Sequence, residues 1–158
     1  MTGNVFYEQT KKLLKELFDN LTVEAKRISA TKRVYPDEYC EKFLTYGKAL
    51  EDVLFTFCGN GCTTEFMCYK SELSEVLFRD VKRLQREYDL KEARSELEKL
   101  TKKYGGLSEL LGVISDDDLL QLGEHCRDAW STFIDNIEFF EDKIFKLRKK
   151  YKLKQEKE

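Results

Sequence analysis

One proline, one histidine and eight glycines are all that 158 residues contain of these types. Proline breaks helices, so a lone Pro36 leaves most of the chain free to run in long ones. No alternation of β-branched residues of the kind strands need is present. No apolar run approaches the roughly 18 residues of a membrane span, and no charged-then-apolar signal peptide opens the chain. Lys and Arg number 28 against 30 Asp and Glu, a net charge of −2, so no global basic field points to nucleic acid. His125 is the only base a Cys-His pair could use, and Cys126 beside it lies about 100° round the same helix. A Gly-rich phosphate loop, a nucleophile elbow and an E-x-x-H metal pair are all missing. The chain therefore reads as non-enzymatic, all-α and without a cofactor. Its five cysteines are an odd number, which fits reduced thiols in the cytoplasm rather than a disulfide framework.

What is present is charge in helical register: 37% of residues are Asp, Glu, Lys or Arg. The stretch from Thr64 to Tyr104 has neither Gly nor Pro and is bracketed by Gly59, Gly61, Gly105 and Gly106. It predicts one helix of about 40 residues, near 60 Å long. Phe66, Leu73, Val76, Leu77, Val81, Leu84 and Tyr88 give its first half a broad apolar face, which thins to Leu90, Ala93, Leu97, Leu100 and Tyr104. Such a helix is either a bundle member that projects as a coiled-coil arm or one long helix of an ordinary bundle.

Before it, Tyr7, Leu14, Leu21 and Ile28 recur every seven residues, and Tyr35, Tyr39, Phe43, Tyr46, Leu50, Val53 and Phe57 continue the spacing past Pro36. Either one helix over 4–57 bends at Pro36, or a second helix begins there with Asp37 and Glu38 in its first turn. The unbroken phase favours the bend. Cys58 to Thr63 reads as a tight reversal. After a short apolar connector, Ser115 is a candidate N-cap followed by Asp116, Asp117 and Asp118. One last helix over 116–153 is expected, with Leu122, Cys126, Ala129, Phe133, Ile137, Phe140, Ile144, Leu147 and Tyr151 on one face. The plan is a single domain of three long antiparallel helices, over 4–57, 64–104 and 116–153, forming a coiled-coil or helical bundle.

Four constellations are candidates for function. Cys58, Cys62 and Cys68 could start a zinc site only with His125 or Cys126 arriving from the last helix; packing thiols are the simpler account. Lys146, Arg148, Lys149 and Lys150, within a basic run from Lys143 to Lys154, suit either the negative end of the helix dipole or an anionic lipid surface. Lys82, Arg83 and Arg86 form a smaller cluster, interleaved with Asp80 and Glu87 in a way that disfavours nucleic acid. Trp130, Phe133, Ile134, Phe139 and Phe140 place apolar residues on more than one side of the last helix. That surplus suits a core or a dimer face, with a second copy or another helical subunit.

Arg27-Ile28-Ser29, Tyr35 to Tyr39 with Glu38, and Tyr46-Gly47 together resemble the first helix of the BAR-type domain at the C-terminus of sorting nexins. Asp128-Ala129-Trp130 resembles a stretch of that family's last helix. The resemblance implies a crescent-shaped dimer with three long helices per subunit, peripheral to endosomal membranes, using Lys and Arg to meet anionic lipid. The rival expectation is a soluble helical adaptor that grips a partner's helix through a spare apolar face.

Overall fold

The computed structural model describes the backbone of residues 2–131 and 134–153, and the side chains of 5–124 and 138–153. Among the described residues there are six α-helices and no strand: α1 (Thr2–Ser29), α2 (Pro36–Cys58), α3 (Asn60–Glu98), α4 (Leu107–Leu111), α5 (Asp116–Ser131) and α6 (Ile134–Lys150). The chain is all-α, with three long helices packed together. They are α1, α2 and α3, not the three expected. Contacts divide the chain into two compact units, Met1–Tyr88 and Asp89–Glu158, each with its own apolar core.

In the first unit the helix expected over 4–57 is two helices. Proline forces the residue before it out of the α region, and Tyr35 accordingly sits extended at φ −105°, ψ 110°. Pro36 then opens α2 at a position where a missing N–H costs nothing. The chain reverses rather than bends. Phe6 stacks on Phe57 (centroids 4.5 Å) and Phe18 meets Phe43 edge-on (6.3 Å), so α1 and α2 run antiparallel. Unbroken phase misled here because both arms of a hairpin can present apolar faces in step. Gly59, at φ 63°, is the only residue between α2 and α3, and α3 starts at Asn60, earlier than Thr64. The Lys11 ammonium lies over Tyr69 and Tyr7 bonds to Glu65, so α3 is parallel to α1. Arg33, in the connection between α1 and α2, donates through Nε and Nη2 to the Gln85 amide oxygen (3.2 Å each).

The core of this up-down-up bundle joins Leu14, Phe18, Leu21 and Ala25 of α1, Phe43 and Leu54 of α2, and Phe66, Leu77 and Val81 of α3. Each buried Leu or Phe contributes about 1.5–3 kcal/mol. Gly47 lets the Lys70 side chain cross α2 on its way to Glu51, a 2.7 Å ion pair between side chains 15% and 19% exposed.

The second unit is built from the end of α3 with α4, α5 and α6. Lys150 Nζ donates to Asp118 at 2.8 Å, which places the end of α6 beside the start of α5. Residues 32 apart in one helix would stand about 48 Å apart, so α5 and α6 form an antiparallel pair. The single helix expected over 116–153 is corrected to two. Its apolar period carried no sign of the reversal, because the stretch has no Pro and its one Gly, Gly123, lies inside α5 rather than at the break. Ser115 is the expected N-cap, its Oγ accepting from the Asp118 N–H at 3.3 Å. Ala93 and Leu97 of α3 share a core with Tyr104, Leu107, Leu110, Leu119, Leu122, Phe140 and Ile144. Gly123 meets Ala93 so closely that a Cβ added there would lie 2.8 Å from the Ala93 Cβ.

Candidate functional site

The basic candidates fall into separate units. In the first, Lys82 lies over the Phe78 ring (5.8 Å), Arg83 is 3.8 Å from Glu87, and Arg86 is exposed. All three belong to the outward side of α3.

In the second unit Arg148 differs from its neighbours. It is 4% exposed, its Nη1 donates to the Gly106 carbonyl at 2.8 Å, and Glu109 stands 3.5 Å away. A cation so enclosed joins the α6 end to the turn before α4 and cannot reach a lipid headgroup, so it leaves the surface set. Lys146 pairs with Asp142 at 3.0 Å and Lys150 with Asp118, while Lys149 and Lys152 are exposed. Lys143 lies over the exposed Phe139 ring at 5.9 Å. Phe139, Lys143, Lys146 and Lys150 recur at intervals of four, three and four residues, one face of α6.

Asp118 is the most constrained carboxylate there. Tyr151 Oη donates to it at 2.5 Å and accepts from the Ser115 N–H at 2.9 Å, bridging the helix cap to its third residue. Hydrogen bonds from Lys150 and Tyr151 hold the Asp118 carboxyl below the usual carboxylate range, and the same contact raises Lys150.

Of the aromatic candidates, Phe140 is 1% exposed and packs edge-on against Tyr104 (4.9 Å, 79°), so it is core rather than partner face. Phe139 is 48% exposed. The side chains of Trp130, Phe133 and Ile134 lie outside the described residues, as do those of His125 and Cys126. Cys58 and Cys62 are half-buried at the junction of α2 and α3, Cys68 is exposed, and Cys40 is buried. Cys68 lies about 240° round α3 from Cys62, so the three expected thiols do not converge. Among the described residues no three His, Cys, Asp or Glu side chains could hold one metal ion, and no helix is long and apolar enough to cross a membrane.

One surface escaped the sequence reading. On α2, Tyr46, Val53 and Phe57 are 58%, 45% and 58% exposed, although they belong to the stripe expected to be buried. Their spacing of seven and four puts them on one face with half-buried Leu50. Phe6 stacks on Phe57 from α1, and Leu13, seven residues on and 52% exposed, continues that edge. The antiparallel register sets Leu13 level with Leu50. The result is a two-helix apolar strip along the outside of the α1–α2 hairpin. A signal was available: Leu54, Phe55 and Phe57 point to three sides of α2, more apolar surface than one core covers.

The residues that carry the BAR-type resemblance, 27–47, lie on both sides of the reversal at 30–35 rather than in one helix. Compared with family models, curated proteins and solved structures, the chain matches none.

Proposed function

We propose that this chain is a non-catalytic helical interaction module that holds an amphipathic helix of a partner protein along the strip of α1 and α2. The observation that carries the reading is the run of solvent-facing Tyr46, Val53 and Phe57, joined across the hairpin by Phe6 and Leu13. Two antiparallel helices offer a groove into which a third lays its apolar face, anchored at positions i, i+3 or i+4, and i+7. A contiguous apolar strip of this kind is uncommon on a surface with no binding role.

A display library of amphipathic helical peptides, selected on the wild-type protein, tests the reading. Enriched peptides should carry apolar anchors at that spacing and lose at least tenfold in affinity for Val53→Glu/Phe57→Ser. Failure to enrich, or equal binding to that variant, would overturn it.

A second reading is favoured by the α6 face. Phe139 with Lys143, Lys146 and Lys150, beside Lys149 and Lys152, offers an aromatic and several cations to an anionic surface. Together with the resemblance of 27–47, this face supports reading the chain as a dimerising BAR-like module on an endosomal membrane. Sedimentation with anionic vesicles should then show binding that weakens from low to physiological salt. Lys146→Glu/Lys149→Glu should abolish that binding. Indifference to vesicles removes this reading and leaves the first intact.

A further inference from the structure

Neither reading uses Cys58 and Cys62. Cys58 is the last residue of α2 and Cys62 the third of α3, so the one-residue link at Gly59 brings a thiol from each helix to the same place. Both are half-buried, both pack against the first core, and their side chains are hydrogen-bonded to each other. A disulfide bond of about 2.05 Å requires the two Cα atoms within about 7 Å, a separation within reach of residues on either side of so short a link. The other described thiols stand apart, Cys40 buried earlier on α2 and Cys68 exposed on another face of α3.

We propose that Cys58 and Cys62 form a redox-active dithiol that closes to an intrachain disulfide by exchange with a low-molecular-weight disulfide such as oxidised glutathione. The Cys62 thiolate attacks one sulfur of the small disulfide. That S–S bond breaks, one small thiolate leaves and takes a proton, and a mixed disulfide remains on Cys62. Cys58 then loses its proton to water and attacks the Cys62 sulfur, expelling the second small thiol. Two protein thiols are oxidised and one small disulfide is reduced to two thiols. The order follows from the environment: burial, then the neighbouring Cys62, pushes the Cys58 thiol up, which suits it to the later, intramolecular step. The product ties the end of α2 to the first turn of α3 across Gly59.

The test incubates the full chain with defined ratios of oxidised to reduced glutathione, quenches with acid, alkylates and maps by mass spectrometry. Trypsin leaves residues 49–70 as one peptide holding Cys58, Cys62 and Cys68, so fragmentation must place the link. The expected product has lost two hydrogens, joins Cys58 to Cys62 and leaves Cys68 alkylated. Cys58→Ser should hold at least ten times more glutathione on Cys62 than the wild type, because nothing resolves it. The proposal is overturned if the wild type itself accumulates glutathione adducts without closing, or if the link runs to Cys68 or to a second molecule. Wild-type mapping decides the matter even where a serine variant fails to fold.

Discussion

Arg148 and Gly106 depend on each other. Gly106 has φ 80°, a conformation L side chains rarely adopt, and a Cβ there would lie 2.8 Å from Arg148 Cδ and Nε. Gly106→Ala should therefore destabilise the second unit by about 1–3 kcal/mol, read as a lower urea midpoint with an unchanged slope. At Asp118 the depressed folded-state value sets the sign of a pH effect. The stabilisation is complete above the unfolded-chain value of about 4 and is lost as pH falls from there through the folded value. Urea midpoints of the wild type should fall over that acid window, and Asp118→Asn should flatten the part of the slope due to this carboxylate. Tyr151→Phe should cost about 1–2 kcal/mol, because it strips one hydrogen bond from the carboxylate and another from the Ser115 N–H. Little of this could be read in the sequence. Arg148 looked like its lysine neighbours, since composition does not tell which cation of a basic run turns inward to a backbone carbonyl.

Helix identity was legible wherever a stripe met clear punctuation. Gly59 and Ser115 mark real ends, as does Pro36 where a bend was favoured, and the buried faces of α1 and α3 follow the expected three-and-four spacing. Direction was not legible. A stripe of period 3.6 fixes which side of a helix is buried, but two helices in a hairpin can keep that phase, as α1 with α2 and α5 with α6 do. The close helix crossings give a contrast between two glycines. Gly123→Ala sets a methyl 2.8 Å from the Ala93 Cβ, two groups fixed to helix backbones, and should destabilise by about 1–3 kcal/mol. Ala93→Gly in the same chain should recover part of that loss, a coupling a double-mutant cycle measures. Gly47→Ala meets chiefly the flexible Lys70 stem, with Leu14 Cδ1 at an ordinary 3.5 Å. The gain in helix propensity of up to about 1 kcal/mol offsets part of the cost of shifting Lys70 from Glu51, so the loss should be smaller than at Gly123. Equal losses at both glycines would contradict the distinction between backbone-borne and flexible neighbours.

Across the whole molecule, two cores replace the single bundle that the apolar stripes suggested. The heptad-like stripe of α3 serves both, Phe66, Leu77, Val81 and Leu84 in the first and Ala93 and Leu97 in the second, with a mostly polar stretch between. The candidate partner strip is a product of this scale: Val53 and Phe57 are exposed because the first core closes around Phe43 and Leu54 on the neighbouring side of α2. Leu14→Ala and Leu110→Ala, each at a fully buried position, should cost about 2–5 kcal/mol. Hydrogen exchange should separate their effects, the first speeding exchange within residues 2–84 and the second within 93–151. Exchange rising alike in both halves would mean one cooperative unit instead of two. The division also bears on biosynthesis. A ribosome delivers every side chain of the first core by Leu84, whereas the second must wait for Phe140 and Ile144. Domains generally fold as they emerge, N-terminal first. The leading bundle can thus close during translation, while Ala93, Leu97 and the α4 leucines emerge as greasy surface with nothing yet to cover it. That interval is when a chaperone would have most to hold.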